Sequence, residues 1–244
     1  RSTLFPYTTL FRSRDSIKTT LEKTLIIYGI YTLGGIILYL LAGMPLFDSI
    51  CSTLSIVSTG GMSIKNANMG YYHDDLIYFI SIILMILGAT SFLVHYRVIK
   101  TRGKSLIEDL QFKIIITVVA VVTVLLYFVS NIVPMDLLFT VVSAITTTGA
   151  SVASPTAMGN WPSFVNICLM CLMLTGGSNG STVGAIKLVR MITFFKGIYR
   201  HVREIMSPEG RVVPIKLHGR RIPEKAISQA GNFITLYMMF IMFT

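Results

Sequence analysis

Of 244 residues, 53% are hydrophobic and only 13% charged, and the mean hydropathy is +0.70. A soluble domain of this size needs more polar residues to cover its surface, so the composition excludes one and points to a polytopic membrane protein. The net charge of +10 is concentrated in two stretches rather than spread, which ties it to membrane topology and argues against nucleic-acid binding.

Residues 1–13, Arg-Ser-Thr-Leu-Phe-Pro-Tyr-Thr-Thr-Leu-Phe-Arg-Ser, lack the continuous apolar core and cleavage site of a signal peptide. They resemble translated sequencing adapter, with a disordered tail as the alternative. Residues 1–20 are therefore set apart from the fold. The first unit is expected over 21–96. It comprises an apolar helix at 24–43, a turn at Gly43-Met44-Pro45, and a half-helix at 47–57 too short to cross a ~30 Å hydrocarbon core. The turn Ser58-Thr59-Gly60-Gly61-Met62, an outer loop to Asp75 and a returning helix at 76–94 complete it.

A linker at 97–113 carries Arg97, Lys100, Arg102, Lys104 and Lys113. The second unit, 114–195, repeats the plan: a helix at 114–133, a turn around Pro134, and a half-helix at 136–145. The turn Thr146-Thr147-Thr148-Gly149-Ala150 follows, then a loop through Trp161-Pro162 and a returning helix from Phe164. Residues 196–226 form a second basic linker. The apolar residues 227–244 would open a further unit, so the chain reads as a piece of a longer protein. Residues 187–225 hold ten Lys or Arg, whereas 58–75 and 151–163 together hold only Lys65. That alternation places the linkers on the cytoplasmic side and both turns outside.

The repeat is visible residue by residue. Asp48, Thr59, Gly61 and Ser63 recur 88 positions later as Asp136, Thr147, Gly149 and Ser151. Asp48 and Asp136 open the half-helices, where a carboxylate can cap free N–H groups and meets the positive end of the helix dipole. The partly negative end of each half-helix then faces a Thr/Gly turn, which favours a cation there. Glycine permits dihedrals that let successive carbonyls replace an ion's water shell. The alternative is a pair of re-entrant turns that merely pack, but irregular backbone at membrane depth normally lines a cavity.

In Gly176-Gly177-Ser178-Asn179-Gly180-Ser181-Thr182-Val183-Gly184, four of nine residues are glycine, enough to break the returning helix. A broken membrane helix marks a transport path; a close-packing surface of small residues is the alternative. The stretch lacks the Gly-Lys-Ser/Thr ending of a phosphate-binding loop. Lys187 and Arg190 follow at i, i+3. They either snorkel to headgroups or place positive charge beneath the pore as an electrostatic barrier. Cys168-x-x-Cys171 lies in an apolar helix without polar neighbours and reads as packing, so no cysteine or histidine metal site is expected. No catalytic His, Asp or Glu pair falls within the spans, which argues against the remaining alternative of an intramembrane enzyme.

The turns at 58–63 and 146–149, and above all Gly176-Gly177-Ser178-Asn179-Gly180-Ser181-Thr182-Val183-Gly184-Ala185-Ile186-Lys187-Leu188-Val189-Arg190, resemble the Trk/Ktr potassium-uptake family, closest to its TrkH-type membrane subunit. The likeness runs from about Leu21 to Thr244. Met62 and Ala150 stand where the family often has an aromatic residue, and Ala185 where glycine is common.

The resemblance implies an all-α, K⁺-channel-like transporter of four helix–pore-loop–helix units, of which the second and third are here and the fourth has begun. It implies a selectivity filter at Ser58, Thr59, Gly60, Gly61, Met62, Thr146, Thr147, Thr148, Gly149 and Ala150, with K⁺ held by backbone carbonyls. A gate loop is implied at Gly176, Gly177, Ser178, Asn179, Gly180, Ser181, Thr182 and Gly184. It further implies K⁺ as the transported ion, no covalently bound cofactor, a homodimer, a TrkA-like cytoplasmic nucleotide-binding subunit, and a multi-pass place in a bacterial inner membrane. A sodium-permeable or Na⁺-coupled relative is the alternative.

Overall fold

A computed structural model of the chain describes residues 14–101, 106, 109–130, 132–206, 216–217, 220–221 and 223–243. The expectation for residues 1–13, and part of the one for the 97–113 linker, lie outside the described residues. The helices are α1 (Arg14–Leu41), α2 (Leu46–Val57), α3 (Asp75–Ala89), α4 (Phe92–Thr101), α5 (Leu110–Val129), α6 (Pro134–Ile145), the short α7 (Pro155–Gly159), α8 (Ser163–Thr175), α9 (Leu188–Ile205) and α10 (Glu224–Phe243). A 3-10 turn covers Asn68–Tyr72, and a two-residue hairpin pairs Lys216–Leu217 with Arg220–Arg221.

Local chemistry sets many of the ends. Asp109 caps α5, its carboxylate accepting the Gln111 N–H at 3.3 Å, and Asp74 caps α3 through the Leu76 N–H at 2.8 Å. Pro134 opens α6 at a position whose N–H would be unpaired anyway. Leu21–Leu41, Leu110–Val129 and Glu224–Phe243 are each long and apolar enough to cross a membrane. Large apolar side chains on α1 and α5, such as Leu33, Ile37, Val121 and Phe128, stay exposed, as helices solvated by lipid require. By contrast, α2, α6 and α8 are apolar but too short to span.

The chain divides into two compact units, Leu21–Lys187 and a second one containing Leu188–Thr244. At the centre of the first lies α6, which packs against α3, α5 and α8, while α2 packs against α3. Leu137, Phe139, Val141 and Val142 of α6 are fully buried, and Phe139 meets Tyr78 of α3 edge-on at 6.0 Å. Tyr39 of α1 is also fully buried. Its hydroxyl donates to Ser81 Oγ at 2.7 Å, because the Ser81 proton goes to the Ile77 carbonyl. In the second unit, Gly197 of α9 lies close against Ile227 of α10, and Arg200 pairs with Glu204 and Glu224, each at 2.6 Å.

The returning helix expected at 76–94 is not continuous. It ends at Ala89, and the chain resumes as α4 after a 103° bend. No proline causes this. Gly88 and Ala89 give their carbonyls to the N–H groups of Thr182 and Ser178, and Phe92 N–H donates to the Gly180 carbonyl. Distant backbone thus replaces the next helical turn. His95 fixes the bend: its Nε2–H donates to the Leu87 carbonyl at 3.0 Å, and its Nδ1 accepts from the Tyr31 hydroxyl at 2.8 Å. The basic stretch from 196 onward is likewise not all loop, since α9 runs through to Ile205.

Candidate functional site: two turns joined by a glycine-rich segment

Both half-helices end in the same hydrogen-bonded motif. In the first, Thr59 N–H donates to the Ile56 carbonyl at 3.0 Å and Gly60 N–H to the Ser55 carbonyl at 2.7 Å. In the second, Thr147 N–H donates to Ala144 at 3.1 Å and Thr148 N–H to Ser143 at 3.0 Å. This is the Schellman termination, whose pivotal residue must be left-handed and is usually glycine. Here it is threonine, with φ 55° at Thr59 and 50° at Thr147. For a β-branched residue that conformation is a true outlier, costing roughly 1–2 kcal/mol. Strain of this kind persists only where neighbouring structure enforces it, and it gathers at functional sites. Gly61 and Gly149, two residues on, are left-handed as well, with φ 66° and 77°.

The two turns touch. A Cβ on Gly61 would lie 1.9 Å from the Thr148 carbonyl oxygen, so only glycine fits there. Just beyond, Met69 N–H donates to the Ser151 carbonyl at 3.1 Å, and Gly70 approaches Val152 so closely that its Cβ would sit 2.1 Å from that carbonyl oxygen. Each turn is also braced from within. Asn68 Nδ2 donates to the Gly61 carbonyl at 3.3 Å. Ser143 Oγ donates to the Ala150 carbonyl at 2.7 Å, and the Thr146 and Thr148 hydroxyls bond each other at 2.7 Å. Ser58 Oγ donates to the Ser55 carbonyl at 3.1 Å. Repeat symmetry stops at the last position: Met62 is 82% exposed whereas Ala150 is buried.

The expected break at 176–184 is present. α8 stops at Thr175, and Gly176 turns the chain with φ 67°. The segment then hydrogen-bonds to the α3–α4 bend: Ser178 N–H to Ala89 at 3.1 Å, Thr182 N–H to Gly88 at 3.3 Å, and Phe92 N–H to Gly180 at 3.1 Å. Gly177 lies against this bend, where a Cβ would come within 3.0 Å of the Ala89 carbonyl oxygen. Asn179 N–H donates to Gln111 Oε1 at 2.8 Å, tying the tip to the start of α5. Ser181 Oγ turns back on the Ser178 carbonyl at 2.6 Å. Ser178 Oγ is fully buried and finds no hydrogen-bond partner among the described residues.

Two electrostatic expectations change. Neither half-helix has a side-chain cap, because Pro45 and Val133 occupy the cap positions and the aspartates sit in the first turn. They still meet the positive end of the dipole there. Asp48 instead faces the outer loop, accepting from the Tyr72 hydroxyl at 2.7 Å with Lys65 Nζ at 3.4 Å. Burial, and then this bond to Asp48, push the Tyr72 phenol up, which keeps it a donor. The i, i+3 pairing of Lys187 with Arg190 on one helix face does not form, since Lys187 has φ 73° and α9 begins only at Leu188. The Arg190 guanidinium stacks 4.0 Å over the Phe233 ring.

Sequence reasoning missed Gln111 and the α3–α4 bend. For Gln111 no local signal exists. The run of small residues Gly88-Ala89-Thr90-Ser91 inside an apolar helix was the available clue to the bend.

The family model described as TrkH, cation transport protein, matches residues 12–244. The Trk system potassium uptake protein TrkH of Salmonella typhimurium is 30% identical over 239 residues, covering 93% of this chain and 48% of that protein. An uncharacterised cation transporter of Methanocaldococcus jannaschii is 31% identical over 220 residues, covering 90% of this chain and 45% of the relative. The crystal structure of the potassium transporter TrkH from Vibrio parahaemolyticus superposes with a TM-score of 0.84 at 26% identity, covering 93% of this chain and 50% of that one. The chain therefore spans about half the length of the relatives it matches, and its helical membrane fold matches that of the Vibrio transporter.

Proposed function

We propose, on the premise that this chain belongs to the TrkH cation transport family, that it supplies two of the pore units through which potassium enters a bacterial cell across the inner membrane. The printed names of the Salmonella and Vibrio relatives support potassium as the ion. One observation carries the reading at the level of residues. Two equivalent half-helices end in strained left-handed threonines, their turns meet at Gly61 and Thr148, and one glycine-rich segment is hydrogen-bonded to the end of the first half-helix and to the second turn. Each half-helix directs its partly negative end at its turn, and the Gly61 and Gly149 conformations let carbonyls flank a cation.

In this reading Ser58–Met62 and Thr146–Ala150 form two sides of the selectivity filter. The segment Gly176–Gly184 is the movable barrier, with Lys187 and Arg190 following it as positive charges. Unpaired backbone in a membrane is costly, so a broken helix that bonds to another broken helix is suited to opening and closing. The basic linkers 97–113 and 196–226 face the cytoplasm and offer a surface to a TrkA-like regulatory subunit, and the whole transporter is a homodimer. No covalent chemistry is involved.

The test is uptake by the full-length protein in a bacterium lacking its own potassium uptake, scored as growth at limiting potassium and as rubidium influx in competition with K⁺ or Na⁺. Potassium should compete far better than sodium, and Gly149→Ala should narrow that gap. Equal competition by the two ions in the unaltered protein would overturn the reading.

A further inference from the structure

The glycine-rich segment donates one hydrogen bond to the end of the first half-helix and one to the second turn. Thr182 Oγ1 lies 3.2 Å from the Val57 carbonyl, the last of α2, and 3.1 Å from the Gly88 carbonyl at the end of α3. The Thr182 N–H already serves the Gly88 carbonyl, which leaves the single hydroxyl proton for the Val57 carbonyl. Two residues on, Gly184 N–H donates to Thr147 Oγ1 at 3.0 Å. Val57 lies two residues before the left-handed Thr59, and Thr147 is itself left-handed. On the remaining side the first turn abuts α3, since a Cβ on Gly88 would fall 2.8 Å from the Val57 carbonyl oxygen and 3.4 Å from Thr59 Cγ2.

We infer that Thr182, through Val57, and Gly184, through Thr147, hold the turns in their strained shape, so that the position of the barrier sets ion preference as well as rate. The inference rests on the filter and barrier assignments above and adds a link between them. Threonine reverts to ordinary dihedrals unless its surroundings prevent it. Withdrawal of residues 182–184 removes at once the donor on the last carbonyl of α2 and the donor on the second turn, and lets the carbonyls beside the ion move. Thr182 is thereby a specificity-determining position outside the turns, acting on the ion through Val57. A segment that only obstructs the path would change how fast ions pass without changing which ion is preferred.

Thr182→Val keeps the shape of the side chain and removes its donor. In the full-length protein, the ratio of K⁺ to Na⁺ competition against rubidium influx should fall several-fold in T182V, with protein abundance and detergent-stable yield close to those of the unaltered protein. Thr182→Ser, which keeps the hydroxyl, should recover most of that loss. Should T182V fail to accumulate, Thr182→Ala removes the same hydroxyl without added bulk and carries the same comparison with T182S. An ion preference in T182V or T182A equal to that of T182S, whatever the change in rate, overturns the inference. Gly149→Ala, measured alongside, separates the two layers. If it narrows ion preference while T182V does not, only the link fails; if neither variant does, the filter assignment fails as well.

Discussion

Replacing Gly61 with alanine should do far more damage than replacing Gly149, although the two are equivalent in the repeat. Both are left-handed, with φ 66° and 77°, so any Cβ costs roughly 1–2 kcal/mol at either site. Their surroundings differ. Around Gly149 a new Cβ meets nothing within 4 Å, whereas at Gly61 it would lie 1.9 Å from the Thr148 carbonyl oxygen and 2.8 Å from the Gly149 carbonyl carbon. Those atoms are backbone and have no rotamer to adopt. Restoring an ordinary contact of 3.4 Å requires the turns to part by on the order of 1.5 Å (3.4 − 1.9). That movement strains the Met69–Ser151 bond, worth about 1 kcal/mol, and adds an overpacking cost of about 1–3 kcal/mol. G61A should therefore lose about 3–6 kcal/mol and G149A about 1–2 kcal/mol. Thermal unfolding of the purified full-length proteins in detergent checks this, with the monodisperse fraction recorded in parallel. Equal losses, or a G61A milder than G149A, would refute the contact between the turns.

Two further outcomes are expected. Single cysteines at Asn66 and at Lys104, in a background without Cys51, Cys168 and Cys171, should react with an impermeant maleimide from opposite sides of the membrane; labelling from one side removes the basis for the pore-loop topology. Gln111→Leu removes the hydrogen bond from the Asn179 N–H to Gln111 Oε1, worth about 1 kcal/mol, and should raise basal rubidium influx, while Gln111→Glu, which keeps an acceptor, should restore it; identical influx in both variants would show that the tip is held by other means.

The parts of this protein legible in its sequence are those whose causes are local. Span length follows from counting apolar residues against bilayer thickness, which separated the full helices from the half-helices α2 and α6. Glycine at 61 and 149 announced backbone dihedrals closed to other residues, and the glycines at 176–184 announced a break in the helix. The repeat, read from Asp48/Asp136 and Thr59/Thr147, placed the two turns in equivalent positions. What sequence could not supply depends on partners far along the chain. The left-handed threonines run against their own propensity. The cut between α3 and α4 is made by hydrogen bonds from residues 178–182, so 76–94 looked like one continuous helix. Gln111 gains its role from a residue 68 positions away, and Thr182 from one 125 positions away. Hydrophobic length and backbone preference are properties of a segment by itself, and composition alone fixes them. A broken membrane helix must find partners for its freed backbone groups, and which groups those are is decided only when the segments meet in the folded chain.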